Sequence, residues 1–164
     1  MNEDNLTAAI ELPDLDATMA AGRRLASLLF PGAVVALVGP LGAGKTHLVR
    51  AIAEGLGVRD SRVVTSPTFV LIQEYDGNLP IYHFDAYRLR GAAEFTELGA
   101  QEYFEDAGVC LVEWADRVQA CLPAELLHVN LTITGLTSRR MTVAGIGDRY
   151  CDIVKALIKE PRTK

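Results

Sequence analysis

The sequence contains Gly39-Pro40-Leu41-Gly42-Ala43-Gly44-Lys45-Thr46, which follows the phosphate-binding loop pattern G-x-x-x-x-G-K-[ST]. Its three glycines can adopt φ > 0 and so allow backbone N–H groups to turn inward around an anion. Lys45 supplies a positive charge for the outer phosphates of a nucleotide, and the Thr46 hydroxyl is a ligand for Mg²⁺. The stretch therefore predicts a nucleotide-binding loop.

The residues on both sides of this loop support the prediction. Ala33–Val38 is uncharged and apolar, which is typical of a strand buried on both faces. After the loop, apolar residues recur at helical spacing, and Gly55 and Gly57 end the predicted helix. Strand, glycine loop and helix thus come in the order that the motif requires, which argues against a chance match in a glycine-rich turn.

Length, charge and cysteine content limit the possible classes of protein. The 164 residues suit one domain, 1–164, and we expect loose tails at residues 1–7 and 160–164. The 21 acidic residues outnumber 16 basic ones, and the net charge of −5 argues against an extended nucleic-acid-binding face. Three dispersed cysteines favour thiols in a reducing compartment. Prolines and glycines interrupt the uncharged stretch 25–44, and no basic, apolar leader opens the chain, so we expect a soluble, cytoplasmic protein without a membrane partner.

Hydrophobic patterns elsewhere predict alternating helices and strands. Beyond the strand at 33–38, we expect strands at 8–12, 69–75, 79–84, 109–112, 126–134 and 140–146, with helices at 17–29, 92–104 and 148–158 in addition to the one after the loop. The stretch Pro13-Asp14-Leu15-Asp16 is the expected turn and cap of the first of these helices, and Asp148 is the expected cap of the last. The predicted fold is an α/β three-layer P-loop sandwich with a mixed, largely parallel sheet and a C-terminal antiparallel hairpin.

Two carboxylates follow apolar strands and are candidates for the metal site. Asp85 follows 79–84, and Glu113 follows 109–112. Ligands of an open α/β sheet gather beyond the carboxyl ends of its strands, where an acid can lie beside Mg²⁺ or an attacking water. Each could also be an exposed acid or a helix cap, and the pattern leaves open which one touches the metal shell.

Two further residues could meet the phosphates. Thr68 lies one helix and one loop beyond Lys45, where its hydroxyl could return to the γ-phosphate like a switch threonine, although Ser66-Pro67-Thr68 is equally compatible with a turn. His47 follows Thr46 and could face the α-phosphate, or be a surface histidine. Leu15 and Arg139 are our candidates for adenine contacts.

Several blocks in this chain together resemble a known family. The phosphate loop, Ser66-Pro67-Thr68, His83-Phe84-Asp85-Ala86-Tyr87-Arg88 and Leu111-Val112-Glu113-Trp114 occur here in the order and spacing of the TsaE (YjeE) family. This bacterial family serves tRNA threonylcarbamoyladenosine biosynthesis. The resemblance covers roughly residues 8–158, and it implies a P-loop fold, bound ATP or ADP with Mg²⁺, and weak ATP hydrolysis. It also implies work with the partner proteins TsaB and TsaD on adenosine 37 of tRNAs that read ANN codons, with tRNA reached only through the complex.

The resemblance also implies roles for individual residues. Lys45 matches the phosphate-binding lysine and Thr46 the Mg²⁺-binding hydroxyl. Glu113 matches the acid of the metal shell, and Asp85 matches the invariant aspartate of the catalytic group.

Three other positions complete this comparison. Thr68 matches a switch-like threonine, and Trp114 matches an aromatic residue beside the site. His47 departs from the family pattern, in which a second threonine often occupies this position. We therefore expect the contact with the α-phosphate to differ in this chain.

Other functional classes fit less well. A GTPase would carry NKxD and DxxG signatures, and neither is present. A small-molecule kinase usually has an arginine-rich lid, whereas here Arg88 and Arg90 are followed by an acidic segment. A nucleotide-sensing module without turnover is the main alternative to an ATPase, and turnover measured with and without partners separates the two.

Overall fold

The protein is described by a computed structural model that covers residues 5–65 and 71–159. Strands of five to eight residues alternate with helices along much of the chain. The strands are β1 Asn5–Leu12, β2 Val34–Val38, β3 Ile72–Asp76, β4 Pro80–Asp85, β5 Val109–Glu113, β6 Leu126–Ile133 and β7 Arg139–Ile146. The helices are α1 Leu15–Ala26, α2 Lys45–Gly55, α3 Ala92–Glu97, α4 Ala100–Glu105 and α5 Asp148–Ile158.

The described strands form one mixed sheet in the order β1-β7-β6-β2-β5-β4-β3. The four central strands, β6, β2, β5 and β4, are parallel, and antiparallel pairs flank them on both sides. The expected α/β class, the largely parallel centre and the C-terminal hairpin β6–β7 are therefore confirmed. Because β2, β4 and β5 run in the same direction, their carboxyl ends meet at one edge of the sheet, where ligands of such sheets bind.

Helices cover both faces of the sheet and give the three layers. One core contains buried side chains of α1, α2 and α5 with alternate residues of β2, β6 and β7. The other contains residues of α3 and α4 and the opposite faces of β2, β4 and β5. Strand β2 contributes to both cores, Val35 and Leu37 to the first and Val34 and Ala36 to the second, which explains its continuous apolar sequence.

The boundaries of several elements differ from the expectations. Residues 5–7 belong to β1 and pair with the end of β7, so this part of the expected loose N-terminal tail is a strand. Asp14 caps α1 through a hydrogen bond from the Ala17 N–H, as predicted. The acidic segment forms two short helices rather than one, because Gly99 adopts a left-handed conformation between them. Asp148 is wrong as a cap, since Gly147 occupies that position and Asp148 begins the helix.

Within residues 5–65 and 71–159, none of the helices has the length and hydropathy needed to cross a membrane.

Candidate functional site

The phosphate-binding loop joins the end of β2 to the start of α2. Gly39, Gly42 and Gly44 have φ values of 152°, 81° and 101°, as the sequence pattern requires. There is also no space for a side chain at Gly39, because an added Cβ would lie 2.5 Å from the carbonyl oxygen of Leu131 in β6. The loop therefore lies directly against the end of a central strand, at the N-terminus of an 11-residue helix.

Lys45 makes internal contacts that the sequence did not predict. The residue is only 5% exposed. Its Nζ donates to the carbonyl oxygens of Gly39 at 2.5 Å and Pro40 at 3.0 Å, and it lies 4.0 Å from the centre of the Trp114 ring. Burial lowers the pKa of Lys45, and the nearby carboxylate of Glu113 opposes part of this lowering. The ammonium group is thus held at the mouth of the loop by partners that a phosphate could replace.

Thr46 is hydrogen-bonded to one of the two candidate acids. Its hydroxyl donates to Oε1 of Glu113 at 2.9 Å. Asp85 is directly opposite Glu113 in the parallel register of β4 and β5, and both residues are buried. Asp85 Oδ1 accepts the Tyr87 N–H at 2.8 Å. The structure brings the three predicted metal-site residues together, with Glu113 in direct contact with the hydroxyl.

A histidine that we did not place among the site residues contacts Glu113 on its other side. His83 is 0% exposed, and its Nε2 lies 2.5 Å from Glu113 Oε2. Its Nδ1 lies 3.4 Å from the hydroxyl of Tyr75, which also donates to the Thr65 carbonyl oxygen at 3.4 Å. Strand parity could have identified His83, because it lies two residues before Asp85 and therefore on the same face of β4. Tyr75 has no comparable signal in the sequence.

Aromatic side chains form one wall of the site. The rings of Tyr87 and Trp114 lie 4.8 Å apart, and Arg117 lies above both of them at 5.3 and 5.7 Å. Trp114 adopts a left-handed backbone conformation with φ 58°, which turns the chain sharply at the end of β5. This turn brings the indole ring over Lys45.

Two adjoining cavities meet at the loop. The first, about 360 Å³, is lined by Lys45, Thr46, Asp85, Glu113 and Trp114, among others. The second, about 500 Å³, is lined by residues of the loop and of the two segments that face it: Asp14, Leu15, Asp16, Thr18, Gly42, Ala43, Gly44, His47, Leu136, Thr137 and Arg139. Their dimensions are those of small-ligand sites. Asp85 and Glu113 contribute two carboxylates to the first cavity, whereas Asp14, Asp16 and Arg139 are the charged residues that line the second.

The residues shared by the two cavities place His47 between them. Gly42, Gly44 and His47 line both cavities, and the His47 side chain is exposed. Leu15 and Arg139, our candidates for adenine contacts, both line the second cavity, where Arg139 donates to the Gly42 carbonyl oxygen at 3.2 Å. Their contact with adenine stays a prediction.

Comparison with known proteins identifies the family. The sequence profile of the family described as threonylcarbamoyl adenosine biosynthesis protein TsaE matches residues 12–141. The TsaE proteins of Bacillus subtilis and Treponema pallidum are 46% and 42% identical to this chain, over 81% and 75% of it and over 82% and 90% of their own lengths. The crystal structure of Bacillus subtilis YdiB superposes with a TM-score of 0.78 at 36% identity, covering 93% of this chain and 95% of that one.

The chain belongs to the TsaE family. The resemblance noted in the sequence is thereby confirmed, as is its extent over most of the chain. In this TsaE chain, the phosphate loop and the blocks at 83–88 and 111–114 converge on the site. Thr68 lies outside the described residues, so its proximity to the γ-phosphate stays a prediction.

The side chains around Thr46 suit a hard cation such as Mg²⁺. They offer one hydroxyl and two carboxylates, and Mg²⁺ prefers oxygen ligands of these kinds. No group of three or more His, Cys, Asp or Glu side chains among residues 5–65 and 71–159 is arranged to hold a metal by itself. A bound nucleotide would therefore have to supply further ligands, as phosphates do at the usual magnesium site of nucleotide enzymes. In this TsaE chain Thr46 and Glu113 are the residues that would hold the ion, with Asp85 beside them.

Proposed function

We propose that this protein is a magnesium-dependent ATPase with a low intrinsic rate that acts in threonylcarbamoylation of adenosine 37 in tRNAs reading ANN codons. The observation that carries the proposal is the contact of Thr46 with Glu113, in a cavity that Asp85 and Lys45 also line. A phosphate-binding loop alone would serve any nucleotide-binding protein. The two acids at the adjacent strand ends add the groups needed for phosphoryl transfer to water.

Each of these residues has a definite task in the proposed reaction. Lys45 exchanges its contacts with the Gly39 and Pro40 carbonyl oxygens for contacts with the outer phosphates of ATP. Thr46 and Glu113 would hold Mg²⁺, and the ion would neutralise charge that develops on the phosphates. We assign Asp85, whose Oδ1 accepts the Tyr87 N–H, to the orientation of the attacking water. Chemistry of this kind depends mainly on position and electrostatics, which suits a site whose acids are fixed at strand ends.

The residues that line the phosphate cavity support a low intrinsic rate. Among the described residues that line this cavity, none is an arginine. An arginine that neutralises the transition state contributes on the order of 10³–10⁵ to the rate of phosphoryl transfer and can come from a partner protein. The TsaE family membership supports TsaB and TsaD as partners. The net charge of −5 supports access to tRNA through them rather than by direct capture.

The test is steady-state phosphate release by the purified protein alone, with TsaB, with TsaD, with both, and with tRNA alone. We expect acceleration only with both partners. The Glu113→Gln variant, assayed in the same mixtures, serves as the control that assigns the released phosphate to this site. Fast turnover by the isolated chain or stimulation by tRNA alone would reject the partner-dependent mechanism.

The same assay separates the alternative functions. A nucleotide-sensing module would bind ATP without phosphate release in any mixture. A kinase would consume ATP in the presence of a metabolite and transfer the phosphate to it rather than to water. Either result would overturn the proposal.

A further inference from the structure

A continuous line of polar contacts runs beneath the proposed metal site. It begins at the Thr65 carbonyl oxygen and passes through the Tyr75 hydroxyl and the His83 ring to the Glu113 carboxylate. It ends at the Thr46 hydroxyl. Five separate segments of the chain therefore contribute to one line of contacts.

His83 has an unusual environment for a polar side chain. The residue is 0% exposed, and on β4 it lies between Ile81 and Asp85 on the face that packs against the first core. In the register of β4 and β5 its neighbour is the buried Leu111. A buried polar ring in such surroundings requires hydrogen-bond partners, and both of its nitrogen atoms lie near one.

The contact with His83 determines how Glu113 can be oriented. Oε1 of Glu113 accepts the Thr46 hydroxyl, and Oε2 faces Nε2 of His83 at 2.5 Å. An ionised carboxylate only accepts hydrogen bonds, so Nε2 carries a hydrogen in this contact. With both oxygens engaged, the carboxylate plane is held in one orientation.

We propose that His83 is a positioning residue that orients the Glu113 carboxylate for magnesium, with Tyr75 holding the opposite nitrogen of the imidazole ring. The inference rests on the proposed function, since it assigns Glu113 to the metal shell. Groups that orient a metal ligand in this way typically change metal affinity or activity by about 10- to 100-fold when they are removed. The role requires a hydrogen-bond donor at the position of Nε2, and it does not require a change in the protonation of the ring.

Three variants test this inference. His83→Phe keeps a ring of similar size but removes the donor, whereas the amide nitrogen of His83→Gln can replace Nε2. Phe84→Leu is the matched control, because Phe84 is equally buried on the same strand but faces the opposite core. The readout is the fluorescence of Trp114, the single tryptophan of the chain, whose ring lies 4.0 Å from Lys45 Nζ. ADP is titrated in the presence of EDTA. In a separate sample without EDTA, magnesium is titrated at a fixed ADP concentration.

We expect His83→Phe to raise the magnesium concentration for half-saturation by about 10- to 100-fold, with ADP binding in EDTA unchanged. His83→Gln should recover most of the magnesium affinity, and Phe84→Leu should match the wild type. A wild-type magnesium response in His83→Phe would overturn this inference but leave the proposed function intact. Equal losses in His83→Gln or Phe84→Leu would also overturn it, since they would indicate a general structural effect. A wild-type protein that binds ADP without any response to magnesium would refute the proposed metal site, and this inference with it.

Discussion

Replacing Lys45 by methionine should separate phosphate binding from folding. Methionine keeps an unbranched apolar side chain beneath Trp114 but removes the ammonium group that contacts the Gly39 and Pro40 carbonyl oxygens. The residue is only 5% exposed, so a large loss of stability would be a natural expectation. The contacts around the ammonium group instead indicate a small change in the free energy of unfolding.

Opposing contributions should nearly cancel in the free energy of unfolding. Each hydrogen bond from a charged donor stabilises by roughly 1.5–3 kcal/mol, and the contact with the indole ring by about 0.5–2 kcal/mol. Against these stands the cost of burying the ammonium group, which is the largest cause of the lowered pKa of Lys45. In the variant, the carbonyl groups of the half-buried Gly39 and the exposed Pro40 can regain water. We therefore expect the free energy of unfolding to change by less than about 1 kcal/mol.

Nucleotide binding should change much more. Removal of one charge-assisted contact with a phosphate costs about 1.5–3 kcal/mol, which corresponds to a roughly 10- to 140-fold increase in Kd. Calorimetric titration with Mg-ATP measures this change, and urea unfolding followed by circular dichroism measures stability. Lys155→Met, at an exposed position on α5, is the matched control and should alter neither quantity. Wild-type affinity in a folded Lys45→Met protein would refute the assignment of the phosphate-binding loop, and a loss of several kcal/mol in stability would refute the reasoning on folding.

Three further predictions concern other parts of the structure. Glu113→Gln and Asp85→Asn should lower phosphate release in the presence of partners by about 10- to 100-fold while changing Mg-ATP affinity less, as measured by kinetics and calorimetry. Wild-type turnover in either variant would refute a catalytic role for that acid. Gly39→Ala should destabilise the protein by about 1–3 kcal/mol in urea unfolding, because its φ is 152° and its Cβ would meet a backbone oxygen at 2.5 Å; an unchanged midpoint would contradict this close approach. A hydrogen bond to Asp106 raises the pKa of Tyr82 to about 12, so its contribution to stability is present below pH 10 and lost as the pH rises towards 12. Asp106→Asn should move the Tyr82 titration, followed by NMR of labelled tyrosine, back towards 10; a midpoint that stays near 12 would exclude this cause.

Short-range patterns were sufficient for much of the fold. The apolar run ending at Val38, the glycine loop and the helical spacing after it predict the β2–loop–α2 unit, because φ preferences and hydrophobic periodicity act within a few residues. The same reasoning placed Asp85 and Glu113 at strand ends. It failed where a single residue decides the outcome, as at Gly99, which divides the predicted helix, and at Gly147, which takes the cap position from Asp148.

The sequence by itself thus determined the α/β class, the phosphate-binding loop and the identity of Thr46, Asp85 and Glu113 as site candidates. Only the tertiary structure decided that Glu113 contacts Thr46, that Lys45 is buried against backbone carbonyls, and that His83 lies behind Glu113. These contacts join segments about 30 to 70 residues apart or depend on how the loop folds over its own lysine. They are set by the order and register of β2, β5 and β4, because the alignment of parallel strands determines which side chains meet at their ends, and no periodicity within one segment encodes that alignment.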